Sequence, residues 1–268
     1  MMESIYLYLL SPLHTGSTTQ EGNLLGIARE SHTNLPYIPS STVRGKLRSL
    51  AKDLKDQLFG NELNELRDGQ QLKQGNIWIG DASILWLPVP SLSHSVVWVS
   101  CPLLLQRWQR LQGGKLPIPS EYSCNFNNNA AVYLKDAIIR AEQLQPGNKN
   151  NLQQFVPEYD NTVSLNRLLV LPDKHCATLI QMSLWRQVKI KLDDHKSVDG
   201  GFRYEEAIPP DTLMYLPWGI TSQANEESEQ SYQDFKTLLA DKKILQIGGQ
   251  ESLGRGFVQQ WMSTSKEN

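Results

Sequence analysis

Pro36-Tyr37-Ile38-Pro39-Ser40-Ser41-Thr42-Val43-Arg44-Gly45-Lys46-Leu47-Arg48 reads as the entrance to a helix. Ser40 or Ser41 supplies the cap, and Val43, Leu47, Leu50, Leu54 and Leu58 recur at helical spacing until Phe59-Gly60 ends the run. The other faces of its first half carry Arg44, Lys46, Arg48 and Lys52, with no acidic residue until Asp53. Upstream, residues 5–10 form a short apolar run that reads as a buried first strand. Downstream, residues 76–87 and 94–100 read as paired strands, with Pro88, Pro90 and Ser91 in the loop between them. Near the other end, a strand at 212–215, a helix over 230–242 and strands at 243–247 and 256–261 complete the order. This order predicts an α+β fold with a ferredoxin-like (RRM-like) core.

The remaining segments read as elaborations of that core. Residues 14–35 have no hydrophobic period and contain Gly16, Gly22 and Gly26, which predicts a long functional loop. Residues 103–111 form a short helix candidate, and 184–192 a strand candidate followed by a charged loop over 193–203. Residues 123–129 and 143–166, rich in Asn and Gln, read as exposed loops. The expectation is one domain over 1–268, with mid-chain insertions over roughly 112–210 and no internal repeat.

Composition limits the function classes. With 268 residues and a net charge of −2, the chain cannot bind nucleic acid through global charge, so any such binding rests on a local patch or on partner subunits. Cys101, Cys124 and Cys176 form no CxxC pair and the five histidines no HxxxH or HExxH, which argues against a disulfide framework or a zinc site. Met1-Met2-Glu3 does not open a basic leader, and the longest apolar run, near 96–105, is broken by Ser100 and Pro102. A cytoplasmic protein with no membrane partner is expected.

Two segments carry phosphate-binding chemistry. At the start of the helix, first-turn N–H groups, the positive end of the dipole and Arg44, Lys46 and Arg48 concentrate positive potential. Gly45 costs roughly 1 kcal/mol against Ala inside a helix. Close approach of a ligand backbone would justify it, and so would close packing on a neighbouring strand. A basic helix face is also commonly just solvated, and both readings stand. Near the C-terminus, Leu245-Gln246-Ile247-Gly248-Gly249-Gln250-Glu251-Ser252-Leu253-Gly254-Arg255-Gly256-Phe257 has GxxxxG spacing, but Arg255-Gly256 replaces the Lys-Ser/Thr of a nucleotide-binding loop. Nucleotide hydrolysis is therefore rejected, leaving contact with an extended backbone or a plain strand-to-strand turn. His14 is an acid–base candidate without an identifiable partner. Glu205 and Glu206, adjacent on a strand, point to opposite faces and make a poor metal-ligand pair. Most aromatic residues belong to the core.

Taken in order, several motifs resemble the RAMP superfamily of CRISPR-associated proteins, and within it the Cas-seven-like backbone subunits of type III-B effectors. They are Ser11-Pro12-Leu13-His14-Thr15-Gly16, Arg29-Glu30-Ser31-His32-Thr33, Pro36-Tyr37-Ile38-Pro39-Ser40-Ser41, Gly80-Asp81-Ala82 and Pro88-Val89-Pro90-Ser91-Leu92. Trp98-Val99-Ser100-Cys101-Pro102, Tyr204-Glu205-Glu206-Ala207-Ile208-Pro209-Pro210-Asp211-Thr212-Leu213 and the glycine loop complete the series. The resemblance implies antiviral defence: subunits polymerise as a helical filament along a CRISPR guide RNA, beside other type III effector subunits, and present complementary target RNA. It also implies a β-hairpin thumb, placed here at 185–210. Its candidate RNA-binding residues are His14, Thr15, Gly16, Ser40, Ser41, Arg44, Gly45, Lys46, Arg48, Gly248, Gly249, Ser252, Gly254, Arg255 and Gly256.

Members of the family often cut target RNA with a loop aspartate, six residues before the glutamate of an Arg-Glu pair, and a divalent metal. Counting back from Glu30 reaches Leu24, with Asn23 beside it, in a loop one residue shorter than the usual form. No aspartate occurs between Met1 and Lys52. Glu21 and Asn23 are the remaining catalytic candidates, and a neutral amide cannot supply the charge a metal-assisted step needs. The expectation is thus a guide-RNA-binding scaffold with weak or no cleavage, needing no cofactor, and Mg or another divalent metal only if cleavage is retained. The competing readings are an active endoribonuclease, a guide-precursor processing enzyme using His14, and an adaptor that binds only protein.

Overall fold

The computed structural model describes residues 2–21, 24–61, 71–127, 129–146, 149–159 and 165–262. Strand β1 (Met2–Leu9) lies near the middle of a large sheet and alternates: Ile5, Leu7 and Leu9 enter one core layer, Tyr6 the other. A hairpin of β2 (Gly16–Glu21) and β3 (Leu24–Ile27) follows, then α1 (Ser40–Leu50) and α2 (Lys55–Phe59). Next come β4 (Ile77–Ile79), β5 (Ser83–Ser91), β6 (Ser95–Ser100) and α3 (Pro102–Leu111). The middle of the chain holds β7 (Ser123–Cys124), β8 (Val132–Leu134), β9 (Ala137–Ile139), β10 (Gln145–Pro146), α4 (Lys149–Gln153), β11 (Leu168–Val170) and α5 (Asp173–Met182). A long ribbon, β12 (Trp185–Leu192) and β13 (Val198–Ala207), precedes β14 (Leu213–Ile220), α6 (Ser228–Ala240), β15 (Ile244–Gln246) and β16 (Phe257–Met262).

The central sheet runs β10-β7-β11-β6-β5-β14-β1-β16-β15. Its heart, β5-β14-β1-β16 with antiparallel neighbours and the helices α1 and α6 as crossovers, has the strand order of a ferredoxin-like core. One face is covered by Val43 and Leu47 of α1, Leu58 and Phe59 of α2, and Phe235 and Leu239 of α6. The other face carries Tyr6, Trp86, Tyr215 and Trp261, buried beneath Leu105 and Trp108 of α3 and Phe155. Trp108 donates to the Tyr6 hydroxyl at 3.2 Å, and the Trp86 indole to the Phe155 carbonyl at 2.9 Å. These aromatics therefore belong to the core and are closed to RNA bases.

Several expected boundaries change. The loop over 14–35 contains the β2–β3 hairpin, whose polar first strand, Gly-Ser-Thr-Thr-Gln-Glu, gave no hydrophobic period. Pro88, Pro90 and Ser91 lie inside β5, paired with Trp98, Val96 and Ser95. Over 87–91 only β6 runs alongside, and β8 touches at Ser91, so missing proline N–H groups are tolerated at this near-edge. Within 143–166, Leu144, Leu152, Phe155, Val156 and Leu165 are buried, because sparse apolar residues among Asn and Gln still reach the core. The expected single helix breaks after Leu50, with Lys52 at φ 48°, and α5 was not expected. The charged loop over 193–203 is a turn followed by the first half of β13.

A second sheet, β12-β13-β3-β2, stands beside the first. What ties it down is Glu205, fully buried on β13. Its carboxylate meets Lys189 at 2.9 Å, Arg203 at 3.0 Å and Arg255 at 3.0 Å. Arg255, only 4% exposed, also donates to Gln187 and Gln250 and stacks over the Trp185 ring. Burial pushes the Glu205 pKa up, but the Lys189 hydrogen bond and charge, the Arg255 charge and Gln250 outweigh it and hold the pKa below the usual carboxylate value. A depressed folded-state pKa means this stabilisation is complete above the unfolded value, about pH 4.3, and is lost as pH falls through the folded value. Glu205→Gln should cost about 3 kcal/mol at pH 7 by leaving the buried Arg255 guanidinium uncompensated. Its melting temperature should fall less steeply than wild type between about pH 5 and 3. Parallel melting curves over that window would contradict the account.

Candidate nucleic-acid interface

A groove of about 860 Å³ opens between the β2–β3 hairpin, the first turn of α1, the end of α5 and the root of the β12–β13 ribbon. Its lining includes Gly16, Gly26, Asn34, Tyr37, Pro39, Ser41 and Thr42 together with a connected cluster of Arg29, Gln181, Arg186 and Glu206. Glu206 is fully buried, on the opposite face of β13 from Glu205. It accepts hydrogen bonds from Arg29 and Arg186. Arg29 also donates to Gln181, whose amide donates to the Asn34 carbonyl, so α5 helps fix the cation.

The first turn of α1 is capped differently from the expectation. Pro39 stands at the cap position without a side-chain bond, and the Ser40 N–H donates to the Asp81 carboxylate at 2.6 Å. Ser41 and Thr42 face the groove, and Gly45 follows one turn later with nothing within 4 Å of where a Cβ would stand. Close packing therefore does not explain Gly45, whereas approach of a ligand backbone remains compatible with it. Arg44 is exposed, with one N–H donated to the Phe59 carbonyl, and Lys46 is half-buried. Arg48 is largely occupied, bonding the Gly60 carbonyl at 3.3 Å and Asp56 at 3.0 Å.

The two glycine segments at the chain ends grip each other. Gly249 N–H donates to the His14 carbonyl and Gly256 N–H to that of Pro12, each at 3.0 Å, so donors expected to face phosphate are used within the fold. A Cβ on Gly256 would stand 1.9 Å from the Ile247 carbonyl oxygen, and one on Gly248 2.6 Å from that of His14, with both residues at φ 77°. Their glycines are thus demanded by backbone packing. His14 is buried and donates Nδ1–H to the Glu206 carbonyl at 2.8 Å; Thr15 is buried and bonds Ala28 and Tyr37. The Arg255 guanidinium is consumed at Glu205. His14, Thr15, Arg48, Gly248, Gly249, Arg255 and Gly256 accordingly have structural work as side chains or backbone, while Ser252 and Gly254 lie on the exposed tip of the loop. Asn23 and the side chain of Glu21 lie outside the described residues.

The ribbon has two chemically distinct faces. Val188 opposite Tyr204 and Ile190 opposite Phe202 make an exposed apolar face, with the two aromatic rings edge to face at 5.5 Å. Lys189 opposite Arg203 lies on the other face. The sequence reading found neither the Arg29–Glu206–Arg186 cluster nor this division, because residues up to 177 positions apart meet there. Among the described residues no three His, Cys, Asp or Glu side chains converge as a metal-ligand set. Glu205 and Glu206 diverge and are each occupied by cations, so they do not fit a divalent metal.

No helix among the described residues is long and apolar enough to cross a membrane. The family model described as the RAMP superfamily matches residues 6–259. The chain is 30% identical to the CRISPR system Cmr endoribonuclease Cmr4 of Pyrococcus furiosus, over 94% of this chain and 92% of that one. Its fold superposes on a crystal structure of oligomeric Cmr4 from Pyrococcus furiosus with a TM-score of 0.73 and 26% identity, covering 98% and 97% of the two chains. A chain of the type III-B Cmr-beta complex bound to cognate target RNA gives a TM-score of 0.76 over 98% and 97%, and at 19% identity that likeness concerns the fold. Whole-length agreement in sequence and in fold leads to one assignment: this chain belongs to the RAMP superfamily.

Proposed function

We propose that this chain is a guide-RNA-binding backbone subunit of a cytoplasmic type III CRISPR effector, polymerising along the guide and presenting complementary target RNA in antiviral defence. The observation that carries this reading is the whole-length relationship to Cmr4, a protein also solved in an oligomeric form. The groove suits the role. It offers Ser41, Thr42 and the guanidiniums of Arg29 and Arg186 to a sugar–phosphate chain. Sequence specificity then comes from base pairing, as in other RNA-guided effectors. The β12–β13 ribbon takes the place of the thumb, and the large insertions belong to one domain with the core.

A second reading, target cleavage, is favoured by the endoribonuclease name of the Pyrococcus furiosus relative. Against it stands the absence of any aspartate between Met1 and Lys52. Guide binding needs no cofactor, and Mg or another divalent metal would enter only with cleavage.

Arg44→Glu and Lys46→Glu should each weaken guide RNA binding about tenfold across unrelated sequences and flatten its salt dependence. Unchanged binding of both variants, measured by fluorescence anisotropy against salt, would contradict the phosphate-grip reading. Cleavage is decided on the assembled complex with labelled complementary RNA, with and without magnesium. The scaffold reading expects intact RNA, with cutting gained in Asn23→Asp or Leu24→Asp. Regularly spaced cuts that Glu21→Ala abolishes would instead establish an active nuclease.

A further inference from the structure

We propose that Arg29 and Arg186 form a seat for one RNA phosphodiester in the lining of the groove, an inference that rests on the RNA-binding reading above. Two guanidiniums share the single Glu206 carboxylate, which leaves one positive charge in excess. Among the described lining residues Glu206 is the sole carboxylate, so that excess faces an otherwise uncharged cavity. Glu206 is fully buried, while the side chains of Arg29 and Arg186 are 24% and 55% exposed.

Geometry shows which edge is offered. Arg186 reaches Glu206 Oε1 with Nε at 3.1 Å and Nη2 at 3.0 Å, leaving Nη1 without a partner among the described residues. Arg29 is held from two sides, by Glu206 and Gln181. Such fixed, partly desolvated guanidiniums lose little freedom on meeting a phosphate and bind it with charge-assisted hydrogen bonds. Ser41 and Thr42 line the same groove, and hydroxyls of this kind suit phosphate oxygens. Asp81 accepts a hydrogen bond from the Ser40 N–H at 2.6 Å and is not among the residues that line the groove. Leading outward from Arg186, the apolar ribbon face of Val188, Tyr204, Ile190 and Phe202 begins, so a strand seated here has both a cationic and an apolar neighbour.

The test uses the full chain and a fluorescein-labelled guide RNA, single-stranded or annealed to its complement, in EDTA. Arg186→Ala should raise Kd about tenfold and reduce the salt slope by about one. Weakening on both RNAs assigns the seat to the guide strand, and weakening on the duplex alone assigns it to the target strand. Where Arg186→Ala lowers the melting temperature, Arg186→Lys serves instead, with the salt slope kept and affinity reduced. Wild-type Kd and slope in these variants, while Arg44→Glu binds weakly, would overturn the seat and leave the RNA-binding reading intact. Failure of the wild-type chain to bind either RNA would overturn both.

Discussion

Two adjacent carboxylates, Glu205 and Glu206, are both fully buried on one strand, and much of the molecule is arranged to neutralise them. Strand alternation sends them to opposite faces, so one set of cations cannot serve both. Glu205 draws in the C-terminal loop through Arg255 and the ribbon through Lys189 and Arg203. Glu206 draws in Arg29 from after the β2–β3 hairpin and Arg186 from across the ribbon. Leaving either charge unpaired in the interior would cost several kcal/mol, which makes these contacts conditions of the fold. The Glu206 carbonyl also accepts from His14, joining the N-terminal motif to the same strand.

This arrangement decides where a polymer can bind. The aromatic face of the central sheet is closed by α3 and Phe155, so stacking of bases on it is excluded. The glycine loop spends Gly249 and Gly256 N–H groups on the backbone of residues 12–14. What remains open is the groove beside α1, where two guanidiniums share one carboxylate and the charge balance is locally positive. A net charge of −2 for the whole chain is compatible with such a local grip, repeated over many protomers.

The core was legible where hydrophobic period and punctuation agree. Val43 and Leu47 mark the buried face of α1, and the apolar run over residues 5–10 marks the buried strand β1. The β2–β3 hairpin was not legible, because Gly-Ser-Thr-Thr-Gln-Glu has no apolar side to reveal a strand. Pro88 and Pro90 signalled a loop, yet they sit where β5 has a partner over one edge only. At the site, the divergence of Glu205 and Glu206 followed from strand geometry alone. Their cations did not, since nothing local links Arg29 to position 206 or Arg255 to position 205. Basic residues such as Arg44 and Arg255 look alike in sequence, and only burial separates a structural ion pair from a solvent-facing charge.

The most direct test of the central claim is the nucleic acid that the protein carries when expressed with a CRISPR array. A guide-RNA backbone subunit should purify with a high 260/280 nm absorbance ratio and, after extraction, yield CRISPR RNA of discrete length. Protein that purifies with the absorbance of protein alone, or with RNA of random length and sequence, would contradict the account.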